Sequence, residues 1–403
     1  MKKQLKPFIL TALTCTFLLG ASISTEAASK VSINDTNFAQ AVKEYAENAD
    51  TNKDGYLSKK EASKITKVRF FSQYNIDSFK GIEYFTDIEN FYYRADYATE
   101  DYDDVNIYET STAPEINLSG FKKLTQVTID SRNPYLKTVN LQDCTNLKNV
   151  TIEGRREDCI DTLNLKGCTN LRSLTLNWTN VNKLNLSGLK KLKEVTVTDD
   201  RESLQTLNLK NCSSLKTVSV SGDRLSKLKL KGAKKLEKLD VSGRSLESLD
   251  LKTNTQLKEL RLGWGTKTPS LDLSKNRSLT TLECYRTELV SLDLSSNPNL
   301  TKVDCHNNPN LSELNVKGCE KLKSLRIDNT KLTKLNVKKT TNLRTLRCDN
   351  TNITKLNLKN NKKLKKLSCS DTNIRKLNLA NTSIRKQSAL KCDPDVRVTY
   401  ATK

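Results

Sequence analysis

The sequence predicts a solenoid of parallel β-strands behind a small helical cap. Leucines recur at intervals of 21 to 24 residues from Leu124 onward. The chain has 403 residues, more than one ordinary core serves, yet only 36% of them are hydrophobic. A stacked repeat reconciles these observations, because a few apolar positions of every turn build one continuous core.

Each turn contains the pattern L-x-x-L-x-[LVIC]-x-x-[TSN]-x-[LIV], a leucine-rich repeat pattern of a strand followed by a tight return. One turn reads Leu343-R-T-Leu346-R-Cys348-D-N-T-N-Ile353. The turns begin at Leu124, Leu147, Leu171, Leu192, Leu215, Leu236, Leu257, Leu279, Leu300, Leu322, Leu343 and Leu364. With a degenerate turn at residues 88–93, we expect a curved parallel β-sheet of about 12–13 turns with short return segments.

The residue between the two apolar positions of a strand should face outward, since side chains alternate along a strand. In the first strand of successive turns this residue changes from a hydroxyl to a charge, which suits a recognition surface. The charged members are Asp240, Arg261, Glu283, Asp304, Arg326 and Arg347. The corresponding residue of the second L-x-L is almost uniformly Asn or Asp, as in a structural hydrogen-bond ladder. We therefore predict a binding strip on the first series; the alternative is an ordinary solvated face.

Aromatic side chains adjoin the predicted strip. Trp178 and Trp264 occupy the same repeat position just past the strand, four turns apart. Tyr285 and His306 directly follow their strands in consecutive turns. Exposed aromatic residues are common interface anchors, but a Trp that plugs a turn is an equally good interpretation.

The segment before the repeats contains a calcium-loop motif. A helical pattern at Asn37-FAQAVKEYAEN leads into Asp50-T-Asn52-K-Asp54-Gly55-Tyr56-L-Ser58-KK-Glu61, which matches D-x-[DN]-x-[DN]-G-x5-E in full. Ca²⁺ requires six to eight oxygen ligands. The expected ligands are the side chains of Asp50, Asn52, Asp54, Ser58 and Glu61 and the backbone carbonyl of Tyr56. The alternative is a capped turn that binds no metal.

Charge is unevenly distributed along the chain. The net charge is +22, yet residues 31–120 contain 17 Asp and Glu against 9 Lys and Arg, whereas residues 121–403 contain 55 Lys and Arg against 28 Asp and Glu. A basic solenoid favours an anionic partner or surface. One His and one Met leave little room for His-based catalysis or metal ligation. We find no catalytic motif and predict that the protein is not an enzyme.

The N-terminus is typical of a secretory signal. Lys2, Lys3 and Lys6 precede an apolar run at residues 8–19, and small residues at 25 and 27 suit cleavage before Ala28. The alternative is an uncleaved anchor. The C-terminus carries no sorting motif or hydrophobic tail, so we expect a secreted, extracellular product with no covalent anchor and no membrane insertion after cleavage. It is either free or associated with the cell wall.

Ten cysteines remain after the predicted cleavage. Cys284, Cys305, Cys348 and Cys369 occupy one repeat position, and Cys144, Cys168, Cys212 and Cys319 occupy another. Residues at repeat positions are expected to stack as small buried thiols. Their parallel Cβ vectors suit a disulfide poorly.

We divide the chain into a signal peptide at 1–27, a helical cap with the calcium loop at 28–87, a degenerate first repeat with an acidic insertion at 88–123, and the solenoid with its C-terminal cap at 124–403. The insertion, residues 92–114, is read as a solvated flap, a partner-binding loop or a second weak calcium site. The order of these parts places all predicted binding residues in the solenoid.

The 21-residue turns with Leu346-R-Cys348 and Leu367-S-Cys369, together with the Asp54-Gly55-Tyr56-Leu57-Ser58 loop followed by Ile82-EYFTDIENF, resemble the internalin-type leucine-rich repeat proteins of Gram-positive bacterial surfaces. The resemblance covers roughly residues 33–392. It implies a curved solenoid behind an EF-hand-like cap, acting in adhesion or partner binding rather than catalysis. The chain departs from that family in lacking the usual C-terminal wall-attachment modules.

Two functions follow from these features. The first is a secreted or cell-surface module that recognises a protein or glycan on a host or bacterial surface, with Ca²⁺ stabilising the cap. The second is a structural protein retained electrostatically on anionic wall polymers such as teichoic acids. Retention by charge should weaken as ionic strength rises. Nucleic acid is not an expected partner, because the Lys residues are spread over the return segments.

Overall fold

The computed structural model describes residues 30–45, 49–71, 74–95, 111–131, 133–154, 160–199, 203–263, 265–385 and 387–400. The predicted signal peptide, Trp264 and residues 96–110 of the insertion lie outside the described residues. No helix among the described residues combines the length and apolar character needed to cross a membrane.

The described residues of the cap form two α-helices, Thr36–Tyr45 and Lys59–Ala62. Asp35 begins the first helix, because its Oδ1 accepts a hydrogen bond from the Phe38 N–H at 2.8 Å. Phe38 and Val42 are buried on one face of it, as the helical pattern predicts. The second helix is a single turn, shorter than the flanking sequence suggests. The chain leaves it at Ser63 and reaches a strand at Lys67.

In the described part of the chain, fifteen parallel strands form one long sheet, in which each strand pairs with the equivalent strand of the next turn. They are Lys67–Phe70, Asn90–Ala95, Gln126–Ser131, Asn149–Gly154, Ser173–Asn177, Glu194–Asp199, Thr217–Gly222, Lys238–Ser242, Glu259–Gly263, Thr281–Cys284, Lys302–Asp304, Ser324–Arg326, Thr345–Arg347, Lys366–Cys369 and Leu390–Cys392. The predicted leucine-rich repeat fold is confirmed.

Shorter strands of the second L-x-L series form four small parallel sheets. They are Glu115–Asn117, Thr138–Asn140 and Thr162–Asn164; Lys183–Asn185, Thr206–Asn208 and Lys227–Lys229; Ser291–Asp293 and Glu313–Asn315; and Lys376–Asn378 and Arg397–Thr399. Two 3-10 turns, Ile82–Tyr84 and Gln387–Ala389, complete the regular structure of the described residues.

The long sheet begins earlier than the leucine pattern indicates. Asn90–Ala95 is the degenerate turn that the sequence reveals, but Lys67–Phe70 pairs with it inside the segment assigned to the cap. Val68 and Phe70 are buried in this first strand, whereas Lys67 and Arg69 are exposed, a period of two typical of a strand. Aromatic residues replace leucine here, so the repeat pattern does not detect this turn.

Aromatic packing joins the helical cap to the sheet. The ring centroids of Phe38 and Phe70 lie 5.3 Å apart, and those of Phe38 and Phe79 lie 5.5 Å apart. Phe79 in turn meets Tyr93 edge-on at 5.2 Å. Edge-to-face pairs of this kind add about 0.5–1.5 kcal/mol each beyond their buried area. The cap therefore closes the exposed end of the apolar column, as a capping element of a solenoid must.

One corner of the turns carries a column of buried hydrogen-bond donors. Its members in successive turns include Cys144, Cys168, Cys212, Asn254, Asn276, Asn297, Cys319 and Asn361. The Cys144 thiol donates to the Leu118 carbonyl at 3.0 Å. The Asn276 amide donates to the carbonyls of Leu251 at 3.1 Å and Asn254 at 2.8 Å. Cys and Asn thus share one task, which is to satisfy backbone carbonyls that the corner buries.

Candidate binding surface and calcium loop

The six charged residues of the predicted binding strip lie on the outer face of the long sheet, between buried apolar positions. Five of them are half-buried and Arg347 is exposed. In the sheet register, Asp240 faces Arg261, Arg261 faces Glu283, and Asp304 faces Arg326. Opposite charges therefore meet at three of the steps along the strip, although its role in binding stays a prediction.

In the first part of the strip, the charged side chains form ion pairs with residues of the neighbouring turns. Arg261 Nε lies 3.2 Å from a carboxylate oxygen of Glu283 and Arg261 Nη1 lies 3.9 Å from Asp240. Lys302 Nζ lies 2.5 Å from the other Glu283 oxygen. Burial raises the pKa of the Asp240 carboxyl, and the nearby Arg261 and Lys238 only partly offset this. Glu283 is the centre of this group, because it binds a cation from each neighbouring turn.

A second group follows in the next turns. Arg326 forms two parallel hydrogen bonds to Asp328, at 2.9 and 3.0 Å, and lies 3.9 Å from Asp304. Arg347 lies 3.7 Å from Asp328 and 3.9 Å from Asp349. Burial alone would raise the pKa of Asp328, but the hydrogen bond and charge of Arg326 outweigh it and hold that pKa below its usual range. The hydrogen bond to Asp328 likewise raises the pKa of Arg326.

Lys302, Asp328 and Asp349 are parts of this surface that the sequence analysis missed. Asp328 and Asp349 each follow a strand by two positions, and Lys302 precedes Asp304 by two. Because side chains alternate, residues two apart share a face. The signal was therefore present in the sequence, in the positions flanking the strip.

An aromatic pair lies between the two charged groups. The rings of Tyr285 and His306 stack with centroids 5.2 Å apart and planes at 22°. His306 Nδ1 lies 2.6 Å from Asp304 Oδ1, which fixes the imidazole ring. Gly263 leaves room for Tyr285, since a Cβ there would lie 3.2 Å from the Tyr285 ring. The sequence placed both aromatic residues beside the strip, and the structure brings them into contact.

Trp178 lies at a bend that immediately follows its strand. Its φ of +53° is left-handed, like that of Asn307, Asn329 and Asn350 at the same repeat position. Asn adopts this region far more readily than a bulky residue. Its backbone N–H donates to the Thr198 carbonyl at 2.8 Å. Trp178 is therefore an unusual choice at a position where a small polar residue fits with less strain.

The described cysteines are free thiols. The sulfurs of Cys284 and Cys305 lie 3.0 Å apart, well beyond the roughly 2.05 Å of a disulfide bond. Burial raises the pKa of Cys144 to about 11 and that of Cys168 to about 12. Thiolate is the nucleophilic and metal-binding form of cysteine. The raised pKa keeps these thiols protonated, which fits packing and hydrogen bonding rather than catalysis.

The predicted calcium loop has a turn conformation held by its own side chains. Asp50 Oδ2 accepts a hydrogen bond from the Gly55 N–H at 3.0 Å, and Asn52 and Asp54 accept from backbone N–H groups two residues on. Lys53 and Gly55 have positive φ, +56° and +80°. Asp50 Oδ1 is buried and has no hydrogen-bond partner among the residues that the structure describes. An unsatisfied buried carboxylate oxygen fits a cation ligand.

Glu61 has a different environment from the one a bidentate metal ligand requires. Its Oε2 accepts hydrogen bonds from the Ser58 N–H at 3.0 Å and the Ser58 hydroxyl at 2.8 Å, forming a capping box. Its Oε1 accepts from the N–H and hydroxyl of Thr51, at 2.8 and 2.9 Å. The hydrogen bonds from Ser58, above all, lower the pKa of Glu61 to about 2.

The oxygen ligands at the start of the loop therefore fit Ca²⁺. At the end of the loop, both Glu61 oxygens already accept hydrogen bonds from Thr51 and Ser58. Within the described part of the chain, no three His, Cys, Asp or Glu side chains are grouped as a metal site. Asp50, Asn52 and Asp54 are available as ligands at the start of the loop. For Glu61 and Ser58 to coordinate the ion, the hydrogen bonds between them would have to break.

These features define a leucine-rich repeat solenoid whose outer sheet face carries paired charges and aromatic residues. A model of the leucine-rich repeat domain of the endo-beta-N-acetylglucosaminidase EndoS matches residues 169–244. No curated protein sequence matches the chain.

Solved structures of several leucine-rich repeat proteins are similar to the chain. The functional domain of InlJ from Listeria monocytogenes, which includes a cysteine ladder, is 19% identical over 80% of this chain and 71% of that one, with a TM-score of 0.39. The internalin InlF from Listeria monocytogenes is 18% identical over 92% and 96%, with a TM-score of 0.41.

The structure of the Toll–Spatzle complex from Drosophila contains a similar chain, 17% identical over 80% of this chain and 48% of that one, with a TM-score of 0.52. This chain therefore spans about half the length of that one. At this level of identity the likeness concerns the fold.

Proposed function

We propose that the protein is an extracellular binding protein that recognises a protein partner through the outer face of its long sheet. The observation that carries this proposal is the stacked Tyr285–His306 pair between two groups of paired charges. Interface energy concentrates in aromatic and Arg residues surrounded by less critical contacts. Charges arranged in a fixed pattern add specificity to such a surface.

A protein suits this surface better than a glycan. Both signs of charge occur along the strip, and a neutral sugar chain offers no complementary charges to them. The Toll chain in the Toll–Spatzle complex offers a precedent for a protein partner on this fold. The proposal does not include catalysis. Burial raises the pKa of cysteine thiols such as Cys144 and Cys168, which disfavours the nucleophilic thiolate. The charged residues of the strip form ion pairs with one another.

The test is a comparison of two matched variants. A protein captured from surface or extracellular fractions by the wild type is purified and its Kd is measured for each variant. Tyr285→Ala with His306→Ala should weaken binding at least about tenfold, or about 1.4 kcal/mol. Tyr135→Ala removes an aromatic side chain that is 52% exposed outside the strip, and it should leave the Kd unchanged. Equal affinity of the first variant and the wild type would refute the proposal.

Calcium is proposed as a stabiliser of the cap rather than as part of the recognition surface. What supports it is the buried, unpartnered Asp50 Oδ1 in a loop of matching sequence. Only one such loop is present in the sequence, so a site filled at extracellular calcium, with Kd about 10⁻⁴–10⁻³ M, suits it better than a cooperative switch.

Removal of calcium tests this second proposal. Millimolar Ca²⁺ should raise the melting temperature of the wild type over that in chelator, and Asp50→Asn should abolish the rise. Asp50→Asn keeps an acceptor for the Gly55 N–H, while Asp77→Asn serves as a control in the cap outside the loop. If chelator leaves the melting temperature of the wild type unchanged, the protein does not use the loop for calcium.

A second candidate function is retention on anionic polymers. The observation in its favour is the concentration of positive charge in the last turns, where residues 317–385 contain 19 Lys and Arg against 4 Asp and Glu. Long-range attraction of this kind is screened by salt over about 10 Å at 0.1 M. Retention by this route would therefore be lost at high ionic strength, whereas a specific protein interface would persist.

A further inference from the structure

A groove of about 810 Å³ lies beside the short strands Lys376–Asn378 and Arg397–Thr399, away from the predicted binding strip. Its volume falls within the range of about 300–1,000 Å³ that is usual for ligand sites. Four basic residues line it, namely Lys355, Lys359, Lys376 and Arg397, and no acidic residue does. All four are exposed.

Three of these basic residues form a column in successive turns. Lys355, Lys376 and Arg397 are spaced 21 residues apart, and Lys376 is the direct Cα partner of Arg397 in the parallel pair. Neighbouring strands lie about 4.8 Å apart. Like charges placed opposite one another on adjacent strands are destabilising, so this column costs the fold free energy.

The groove differs in this respect from the outer sheet face of the same region. Arg326 and Arg347 each lie within 4 Å of acidic side chains. None of the four basic residues of the groove forms an ion pair with an acidic residue in the described part of the chain. Basic side chains on the outer sheet face are therefore paired with acidic ones, whereas those in the groove have no acidic partner among the described residues.

Hydrogen-bond donors point to the same kind of ligand. Asn357 and Asn378 line the groove, and the Oδ1 of each accepts from a backbone N–H, at 3.1 and 3.0 Å. In earlier turns the amide of the equivalent Asn donates to the preceding turn, as Asn208 does to Asn185 at 2.9 Å. The amides of Asn357 and Asn378 have no such partner among the described residues. The groove therefore offers donors and cations, with few free acceptors.

The chemistry of this lining selects among anionic ligands. A column of cations at repeat spacing suits a polymer with regularly repeated anionic groups better than a single ion. None of the residues that line the groove is aromatic, whereas sites for single-stranded nucleic acid depend on stacking of bases on aromatic side chains. Phosphate oxygens accept readily from Lys, Arg and amide donors. A phosphate polymer without bases has repeated anionic groups, needs no aromatic stacking and offers acceptors to Lys, Arg and amide donors.

We infer that this groove is a binding site for a linear polyol phosphate chain, held by Lys355, Lys359, Lys376 and Arg397 and oriented by the amides of Asn357 and Asn378. The inference rests on the second candidate function, for which it supplies a defined site. It is independent of the Tyr285–His306 surface.

The test uses the full chain and end-labelled poly(glycerol phosphate), with the Kd measured by fluorescence anisotropy at several salt concentrations. One variant carries Lys355→Gln, Lys359→Gln, Lys376→Gln and Arg397→Gln. The matched control carries Lys166→Gln, Lys183→Gln, Lys210→Gln and Lys227→Gln, which are exposed lysines at equivalent repeat positions in earlier turns. Both variants remove four positive charges. Circular dichroism and thermal melting are used to check that each variant is folded.

The groove variant should bind at least about tenfold more weakly than the wild type, and the control less than about threefold. The dependence of log K on log salt should be near −3 for the wild type, since each phosphate contact on a flexible chain contributes about −0.7, and should flatten in the groove variant only. Equal losses in the two variants would mean diffuse attraction without a site. Failure of the wild type to bind, or groove-dependent binding of oligo(dT) that is tighter than that of the polyol phosphate, would also overturn the inference.

One further variant distinguishes this result from the proposed functions. The double variant Tyr285→Ala, His306→Ala should bind the polymer as the wild type does. If the groove variant and the control both lose binding equally while the wild type binds strongly, retention by charge survives and the groove site fails. The two ideas are thereby separated.

Discussion

Glu61 illustrates how one carboxylate can close a loop through hydrogen bonds alone. Its two oxygens accept four hydrogen bonds from Thr51 and Ser58, so they join the start of the loop to the start of the following helix. A calcium-loop sequence places a Glu at this position for a metal ion. The same residue here stabilises the helix N-terminus as the N3 member of a capping box.

The lowered pKa of Glu61 predicts a pH dependence of stability. The folded-state pKa is about 2, below the ordinary value of 4.5. The unfolded chain therefore takes up a proton first as the pH falls. The contribution of Glu61 is complete above about pH 4.5 and is lost as the pH falls from there towards 2.

Thermal melts in calcium-free buffer between pH 2 and pH 6 measure this contribution. Glu61→Gln should flatten the decline below pH 4.5 and lower the melting temperature at pH 6. Glu83→Gln, a carboxylate of the cap outside the loop, is the control and should keep the decline of the wild type. A Glu61→Gln profile that parallels the wild type would show that this carboxylate does not carry the pH dependence.

At the residue scale, the sequence predicts the face on which a side chain lies better than it predicts what that side chain contacts. The alternation of the strands placed Arg261, Glu283 and Arg326 on the outer face. It did not predict that they pair with one another, because pairing depends on Lys302 and Asp328 at flanking positions and on the rotamers of long side chains. Which charges are left for a partner is a property of the packed structure.

The elements of the solenoid depend on the buried donors at their corners. At the corners that carry Cys or Asn, backbone carbonyls that the strands do not use are buried, and a side-chain donor from the following turn satisfies them. Cys144 and Asn276 do this with a thiol and an amide respectively. The recurrence of Cys at this position therefore has a hydrogen-bonding reason in addition to its small volume.

This equivalence gives a graded prediction for Asn276. Asn276→Ala leaves the carbonyls of Leu251 and Asn254 without their donor, and should lower the free energy of unfolding by about 2–4 kcal/mol. Asn276→Cys retains one weak donor, and should recover a part of that loss, about 1 kcal/mol. Urea unfolding of both variants checks the difference. Equal destabilisation would show that the thiol donor contributes nothing at this corner.

The repeat pattern predicted the elements well from Leu124 onward, since regular leucines fix both the strands and their register. It failed at the first strand, Lys67–Phe70, where Val68 and Phe70 fill the apolar positions. It also gave 12–13 turns, whereas the long sheet has fifteen strands. Both differences arise at the ends of the solenoid. Val68 and Phe70 replace the repeated leucine in the first strand, and Leu390–Cys392 adds a strand after the last regular turn.

At the scale of the whole molecule, charge is sorted along the solenoid and between its faces. The outer sheet face carries cations and anions that pair, whereas the C-terminal groove carries cations alone. The sequence reveals the excess of Lys and Arg in the last turns. It does not reveal the groove, because that depends on which cations lack an acidic neighbour after folding.

The separation of charge along the chain gives the molecule a direction. The cap, residues 28–87, contains nine Asp and Glu and nine Lys and Arg, whereas residues 317–385 contain 19 Lys and Arg against 4 Asp and Glu. A charged surface exerts a torque, within a few Debye lengths, on a molecule whose net charge is concentrated towards one end. Near an anionic surface, the last turns are therefore drawn inward, whereas the cap, which has no net charge, is not attracted.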